Sequence, residues 1–262
     1  MNKFKIRRQP ATIEVGVFFV RRIMYPDLND NEYDLTIYVP TKGRPMNALR
    51  LQEQFHKTAR LMSRIVFILS DNDPYLDRYR GLQETITVSP KKPGFVDPLN
   101  LGYLQDRRKV YSYALGFMGD DHMPRTDGWD EMFVVALLEM KAGFVYGNDG
   151  FQGANIPTQV AMTSDIPLTL GFMTLPQLSH LYADNGWLDF GNKLGKIKYI
   201  KNAVIEHLHP AAGKATHDAG YEFSGSFALD LSDKGIYQNY LDCDIEGDVR
   251  NVLGMLRRTG KI

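Results

Sequence analysis

Residues 35–45 read LTIYVPTKGRP, and this stretch contains the clearest strand of the chain. Five largely apolar residues that end at Pro40 are typical of a strand buried inside a parallel sheet. Pro45 stands where the first turn of a helix tolerates proline, and apolar residues then recur at helical spacing up to Met62. The stretch therefore predicts a strand, a polar loop and a helix in succession.

The same arrangement recurs twice further along the chain. Residues 65–74 read IVFILSDNDP, and residues 114–122 read ALGFMGDDH, so each apolar run ends in acidic residues. In open α/β sheets, ligands bind in the crevice beyond the carboxyl ends of the strands. We therefore expect the three polar loops, residues 41–44, 70–73 and 119–122, to line one site.

The remaining pattern predicts a complete α/β domain with helices after it. Strands are predicted at residues 85–88, 144–146, 158–162 and 198–205, and helices at 99–113, 128–140 and 170–182. Two further helices are predicted from residue 226 onward. We divide the chain into an N-terminal extension (1–33), a ligand-binding α/β domain (34–216) and a helical C-terminal segment packed on it (217–262).

Composition limits the class of protein. The 262 residues carry 31 basic and 31 acidic side chains, so no charge excess favours a protein that coats nucleic acid. The single cysteine, Cys243, excludes an internal disulfide and a zinc site with two thiolates. No uncharged apolar stretch reaches the ~20 residues that span a bilayer, so no membrane partner is expected. We predict a cytoplasmic protein.

Two clusters contain residue types that ligate metal ions. Asp120, Asp121 and His122 place two carboxylates and an imidazole at one strand end, a set that suits Mn²⁺ or Mg²⁺. His207 and His209 alternate along a predicted strand, so both rings point to the same face. The sequence leaves open whether Asp121 or the pair Asp120 and His122 binds the ion, and which of the two later histidines contributes.

A third candidate is the segment Ala183-Asp184-Asn185-Gly186-Trp187. A carboxylate beside a large aromatic ring can act as a general base with its substrate stacked nearby, although an ordinary turn would have the same sequence. Other nucleotide and hydrolase motifs are absent: the chain has no GxxxxGK[ST], no GxGxxG after the first strand and no GxSxG.

The order of these motifs resembles the GT-A glycosyltransferases of the family 2 type, and most of all the small versions encoded by phages. The resemblance covers roughly residues 34–210. It implies a GT-A (Rossmann-like) mixed sheet flanked by helices, and transfer of a sugar, with inversion, from a nucleoside-diphosphate sugar, with UDP-sugars favoured. The implied roles are donor binding by Thr41, Arg44, Asp71, Asp73 and Asp120, metal binding by Asp120, Asp121, His122, His207 and His209, catalysis by Asp184 as base and acceptor binding by Trp187.

The resemblance also departs from the usual pattern at one position. The metal-binding DxD motif ends here in His122, as in the polypeptide N-acetylgalactosaminyltransferases, which keeps Mn²⁺ or Mg²⁺ as the expected cofactor. If the chain is phage-encoded, it works in the host cytoplasm. The acceptors that the resemblance then implies are hydroxymethylated bases in phage DNA or hydroxyls on a virion protein.

Two other functions fit the same residues. A metal-dependent hydrolase could use His207 and His209 with Asp120 and His122, although such enzymes usually draw their HxH pair from an early strand. A module that binds a nucleotide or a sugar without turnover would need the same loops but no base at Asp184.

Overall fold

The computed structural model describes residues 33–262, and this range forms one unit. The predicted N-terminal extension lies outside the described residues, except for Tyr33, the first residue of the first strand. Within the described range, no helix combines the length and apolar character that crossing a membrane requires.

The described residues form a mixed eight-stranded sheet whose spatial order is β3-β2-β1-β4-β7-β6-β8-β5. Strands β1 to β4 run parallel to one another, and β7 pairs antiparallel with β4 and β6. The strands are β1 Tyr33–Thr41, β2 Ser63–Ser70, β3 Thr85–Val88, β4 Ser112–Phe117, β5 His122–Pro124, β6 Phe144–Asn148, β7 Val160–Thr163 and β8 Ile197–His207.

Helices flank this sheet and continue beyond it. They are α1 Pro45–Thr58, α2 Val96–Asp106, α3 Trp129–Met140, α4 Asp165–Leu170, α5 Ala183–Leu194, α6 Ala219–Ser224, α7 Phe227–Asn239 and α8 Ile245–Arg258. A π-helical segment, Tyr240–Asp244, joins α7 to α8. The predicted α/β class, with a mixed sheet flanked by helices and a helical C-terminal extension, is confirmed.

The central strand β1 explains why the first apolar run is continuous. It lies between β2 and β4, and Leu35, Ile37 and Val39 are completely buried. A strand covered on both faces has no solvent side, so it shows no alternation of polar and apolar residues. Helix α8 packs on α4 and α5 and adds its apolar stripe, Ile245, Val249, Val252 and Leu256, to the core.

The helix predicted at 170–182 is wrong, and the one predicted at 99–113 ends already at Asp106, before β4 begins at Ser112. Residues 171–182 form a loop between α4 and α5, and Gly171, which directly follows α4, has a left-handed conformation (φ 85°). The buried Asp233 carboxylate of α7 accepts hydrogen bonds from three consecutive amides of this loop, those of Ser179, His180 and Leu181. The apolar residues of this loop are buried by packing against the rest of the protein. They therefore recur at helix-like spacing although no helix forms.

The short strand β5 is not predicted by the sequence, yet it positions the site. It pairs antiparallel with the end of β8, in a register that places His122 opposite His207. Residues opposite one another on neighbouring strands come within side-chain contact. Two motifs that lie far apart in the sequence therefore meet at one edge of the sheet.

Candidate metal and donor site

The centre of the site is a pair of stacked imidazoles. The rings of His122 and His207 lie 4.3 Å apart between centroids and within 15° of parallel, as the β5–β8 register dictates. His122 is 2% exposed, and the Nδ1 atom of His207 is buried without a hydrogen-bond partner among the described residues. A buried imidazole nitrogen without a partner costs free energy, and the other ring nitrogen of His207, Nε2, is the one that approaches Asp121.

Asp121 completes the cluster. Its Oδ1 lies 3.5 Å from His122 Nδ1 and its Oδ2 lies 3.4 Å from His207 Nε2. One ligand atom from each of these three residues lies within 4.8 Å of the other two. A Cβ atom at Gly119 would stand 2.6 Å from the Asp121 carboxylate. Only glycine, which has no Cβ, therefore lets the backbone at position 119 lie this close to the cluster.

The protonation states of Asp121 and His122 suit a divalent cation. Burial alone would raise the pKa of Asp121, but contacts with the imidazoles of His122 and His207 hold it well below its ordinary value. Burial and the neighbouring His207 lower the pKa of His122. An ionised carboxylate and neutral imidazoles are the forms that bind metal. The residues present therefore fit Mn²⁺ or Mg²⁺.

Asp120 points away from this cluster. Its carboxylate accepts hydrogen bonds from Thr41 Oγ1 (2.7 Å) and from Arg44 Nη1 (3.2 Å), which come from the loop after β1. Burial and the nearby Asp121 charge raise the pKa of Asp120 to about 6. The loops after β1 and β4 are thus joined at the sheet edge, as their sequences predicted, but Asp120 connects them rather than joining the three-residue cluster.

Arg44 links these loops to the C-terminal helices. Its Nη2 and Nε donate to the two carboxylate oxygens of Asp218 (2.6 and 2.8 Å), and its guanidinium stacks 4.3 Å above the ring of Tyr221. Tyr221 in turn donates its hydroxyl proton to Asp121 Oδ2 at 2.6 Å. Helix α6 therefore covers one side of the cluster.

A cavity of about 540 Å³ opens beside Asp121. Its size lies in the range of small-molecule sites. It contains four cationic side chains and two carboxylates, which favours an anionic ligand. The charged and aromatic residues that line it are Arg44, Arg50, Arg78, Lys214, Asp121, Asp218, Tyr75 and Tyr221.

The two acids after β2 differ in their surroundings. Asp73 is buried and accepts hydrogen bonds from the amides of Gly43 (2.7 Å) and Tyr75 (2.8 Å) and from the Tyr79 hydroxyl (3.0 Å). Asp71 is exposed, and its carboxylate accepts a hydrogen bond from Ser89 Oγ. Asp73 therefore shapes the loop after β1, whereas Asp71 has free acceptor capacity at the surface.

The two predicted acceptor-side residues, Asp184 and Trp187, have different surroundings in the structure. Asp184 lies half-buried in the first turn of α5, where burial raises its pKa and hydrogen bonds from backbone amides, that of Asn185 first, oppose this shift. Trp187 is 4% exposed, packs against Phe117 and donates its indole N–H to Met173 O at 2.8 Å. This placement gives Trp187 a core-packing role and does not support the predicted acceptor platform.

The second histidine of the later pair lies outside the three-residue cluster. His209 Nδ1 accepts a hydrogen bond from the Ala211 amide at 3.1 Å, and its ring packs against Phe151 and Tyr221. The geometry therefore favours His207 over His209 as the metal ligand, and Asp121 over Asp120.

Sequence reasoning missed Asp218 and Tyr221. Their sequence signal is weak: Asp218 precedes α6 as an N-cap whose Oδ1 accepts from the amides of Gly220 and Tyr221. That pattern predicts a helix start and gives no indication of contact with Arg44 or Asp121.

Comparison with known proteins gives a fold but no family. No protein-family model matches the chain, and no curated protein matches its sequence. Among solved structures, the mannosyltransferase PcManGT from Pyrobaculum calidifontis, in complex with GDP-Man and Mn²⁺, is similar over 93% of this chain and 82% of its own, with 10% identity and a TM-score of 0.52.

Two other similar structures have comparable scores. Glucosyl-3-phosphoglycerate synthase from Mycobacterium tuberculosis, in complex with Mn²⁺, UDP and glucosyl-3-phosphoglycerate, is 13% identical with a TM-score of 0.52. The match covers 80% of this chain and 81% of the synthase. S. aureus TarS (1–349) is 11% identical with a TM-score of 0.50, over 66% of this chain and 59% of TarS. The chain thus spans less than two thirds of TarS, and residues 33–262 have the GT-A fold found in glycosyltransferases.

Proposed function

We propose that this protein is a metal-dependent glycosyltransferase that moves a sugar from a nucleoside-diphosphate sugar to an acceptor hydroxyl. The observation that carries the proposal is the Asp121, His122 and His207 cluster, which borders a cationic cavity at the carboxyl ends of the sheet strands. Similar structures that contain a nucleotide or nucleotide-sugar together with Mn²⁺ or Mg²⁺ support it.

Different residues around the cavity would bind the donor nucleotide and stabilise the diphosphate leaving group. Asp121, His122 and His207 would hold Mn²⁺ or Mg²⁺, which when bound neutralises charge on the departing diphosphate. Arg44 and Lys214 line the same cavity and can pair with phosphate oxygens. Thr41, Asp71 and Asp120 lie along the loops that would face the nucleotide, with uridine nucleotides favoured.

The proposed chemical step is an inverting displacement at C1 of the sugar. The acceptor oxygen forms a bond to C1 of the sugar while the bond from C1 to the β-phosphate oxygen breaks. Asp184 takes the proton of the acceptor hydroxyl, and burial helps by raising the pKa of this carboxyl. Attack opposite the leaving diphosphate inverts C1. The proposed acceptors are a hydroxymethylated base in DNA or a protein hydroxyl, and a screen of labelled nucleotide-sugars against both identifies which one is used.

Removing the metal is expected to weaken donor binding. Calorimetric titration of UDP and GDP into the protein with Mn²⁺, and again with EDTA, measures this directly, because the diphosphate loses its cation in EDTA. We expect UDP to bind more tightly with Mn²⁺ by a factor of ten or more, about 1.4 kcal/mol. Equal affinity in both buffers would remove the metal from the function.

Loss of both acids after β2 is expected to weaken donor binding by about 1–3 kcal/mol, the usual range for a lost charge-assisted hydrogen bond. The double variant Asp71→Ala, Asp73→Ala tests this by calorimetry. Because Asp73 also holds the loop after β1, the single variant Asp71→Ala separates direct binding from loop distortion.

Asp77→Ala provides the matched control for this pair. Asp77 is an exposed acid in the same loop region, where its carboxylate accepts from Arg80 Nη2. The Asp77→Ala variant should leave donor affinity unchanged. A double variant with wild-type donor affinity would place the nucleotide elsewhere on the protein.

A further inference from the structure

Two residues behind the metal cluster form a hydrogen-bonded chain that ends on His122. Thr158 Oγ1 lies 3.4 Å from His122 Nε2 and donates to Asp149 Oδ2 at 3.0 Å. The Oδ1 atom of Asp149, a residue only 1% exposed, accepts from the amides of Phe151, Gln152 and Gly153. Both residues belong to the connection between β6 and β7. This loop therefore contacts the Nε2 edge of the His122 ring, while Asp121 lies near Nδ1.

Counting protons along this chain determines the tautomer of His122. An ionised carboxylate only accepts hydrogen bonds, so the single hydroxyl proton of Thr158 must go to Asp149. The Thr158 oxygen then offers only lone pairs to His122, which requires a proton on Nε2. In a neutral imidazole the Nδ1 atom is left unprotonated, in agreement with the amide of Gly119, which donates to it at 3.0 Å.

We propose that Thr158 and Asp149 are positioning residues that hold His122 as its Nε2–H tautomer, so that the Nδ1 lone pair, which accepts the Gly119 amide in the metal-free protein, is available to a cation that displaces this hydrogen bond. Nδ1 is the atom that lies 3.5 Å from Asp121 Oδ1. Partners on the far nitrogen of a ligating histidine orient the ring and fix its tautomer, and their loss costs metal affinity. The inference rests on the metal site of the proposed function.

Four variants distinguish the roles of the hydroxyl, the carboxylate and simple packing. Thr158→Val removes the hydroxyl at similar volume, and Thr158→Ser restores it. Asp149→Asn keeps an oxygen for the three loop amides, but its NH₂ donates to Thr158, whose proton then turns to His122 Nε2. That reversal forces the proton of His122 onto Nδ1. The control is Thr163→Val, because Thr163 is also buried but its hydroxyl accepts from the Gly143 amide.

The tautomer is measured first, on the metal-free protein. Imidazole ¹⁵N shifts of His122 at neutral pH are expected to report a proton on Nε2 in the wild type and in Thr158→Ser, and on Nδ1 in Asp149→Asn. A wild-type signal from Nδ1–H overturns the proposal, as does an Asp149→Asn variant with the wild-type tautomer. This measurement does not depend on metal binding or on activity.

Metal affinity is measured second, from free Mn²⁺ by electron paramagnetic resonance without nucleotide. We expect Thr158→Val and Asp149→Asn to bind Mn²⁺ about 10–100-fold more weakly, while Thr158→Ser and Thr163→Val stay near wild type. Wild-type affinity in Thr158→Val overturns the proposal. If the wild type binds no Mn²⁺ while its tautomer switches in Asp149→Asn, the tautomer assignment stands and the metal site of the proposed function falls.

Discussion

Asp121→Ala is expected to lower sugar transfer by about 10²–10³-fold, the usual cost of removing one group that stabilises charge in the transition state. Asp121 is the carboxylate shared by both imidazoles of the cluster, and its Oδ2 also accepts from Tyr221. Without it the cluster retains two imidazoles and no negative charge. Affinity for Mn²⁺ should fall together with the rate, and adding Mn²⁺ in excess should recover part of the loss.

The matched control is Asp127→Ala. Asp127 is an exposed acid whose carboxylate accepts from Arg60, and it lies outside the three-residue cluster. Thermal unfolding of both variants shows whether the fold is retained, since Asp121 is buried and Asp127 is not. An Asp121→Ala variant that binds Mn²⁺ and transfers sugar like the wild type would contradict the proposed site.

The parallel strands β1, β2 and β4 can be predicted from local sequence patterns. Continuous apolar runs that end in proline or acidic residues predict β1, β2 and β4, and parallel strands place their carboxyl ends at one edge. For that reason the sequence alone predicted the meeting of the loops after β1 and β4. The contact of Asp120 with Thr41 and Arg44 follows from that arrangement.

The composition of the cluster depends on pairing that no local pattern contains. His122 meets His207 because a three-residue strand pairs antiparallel with the end of a long one. A strand of that length has too few residues for any periodicity to predict it. The alternation of His207 and His209 indicated a shared face, but it could not show which ring would lie opposite β5.

Tertiary burial accounts for the other differences. Residues 171–182 have helix-like apolar spacing, but Asp233 of α7 satisfies their backbone amides in an irregular conformation. The sequence around Trp187 is likewise compatible with two structures, since a large aromatic ring after a carboxylate occurs both at binding surfaces and in cores. Its burial against Phe117 is decided by the position of α5, which depends on the helix start at Ala183.

Asp184→Asn is expected to lower transfer by about 10²–10⁴-fold while donor binding and folding stay near wild type. The amide keeps the shape of the carboxylate and an oxygen for the Asn185 amide, but it has no affinity for a proton at neutral pH. Single-turnover rates at saturating donor measure the chemical step, and calorimetry with UDP measures binding separately.

Asp189→Asn is the control that makes this result specific to Asp184. Asp189 lies in the same helix and accepts a hydrogen bond from the Tyr237 hydroxyl, so its loss should lower thermal stability more than the rate. Wild-type transfer by Asp184→Asn together with a slow Asp189→Asn would assign the base to Asp189. If both variants stay active, neither carboxylate takes the proton. The acceptor hydroxyl must then be deprotonated by a group outside α5, and the raised pKa of Asp184 follows from its burial at the helix start without a role in transfer.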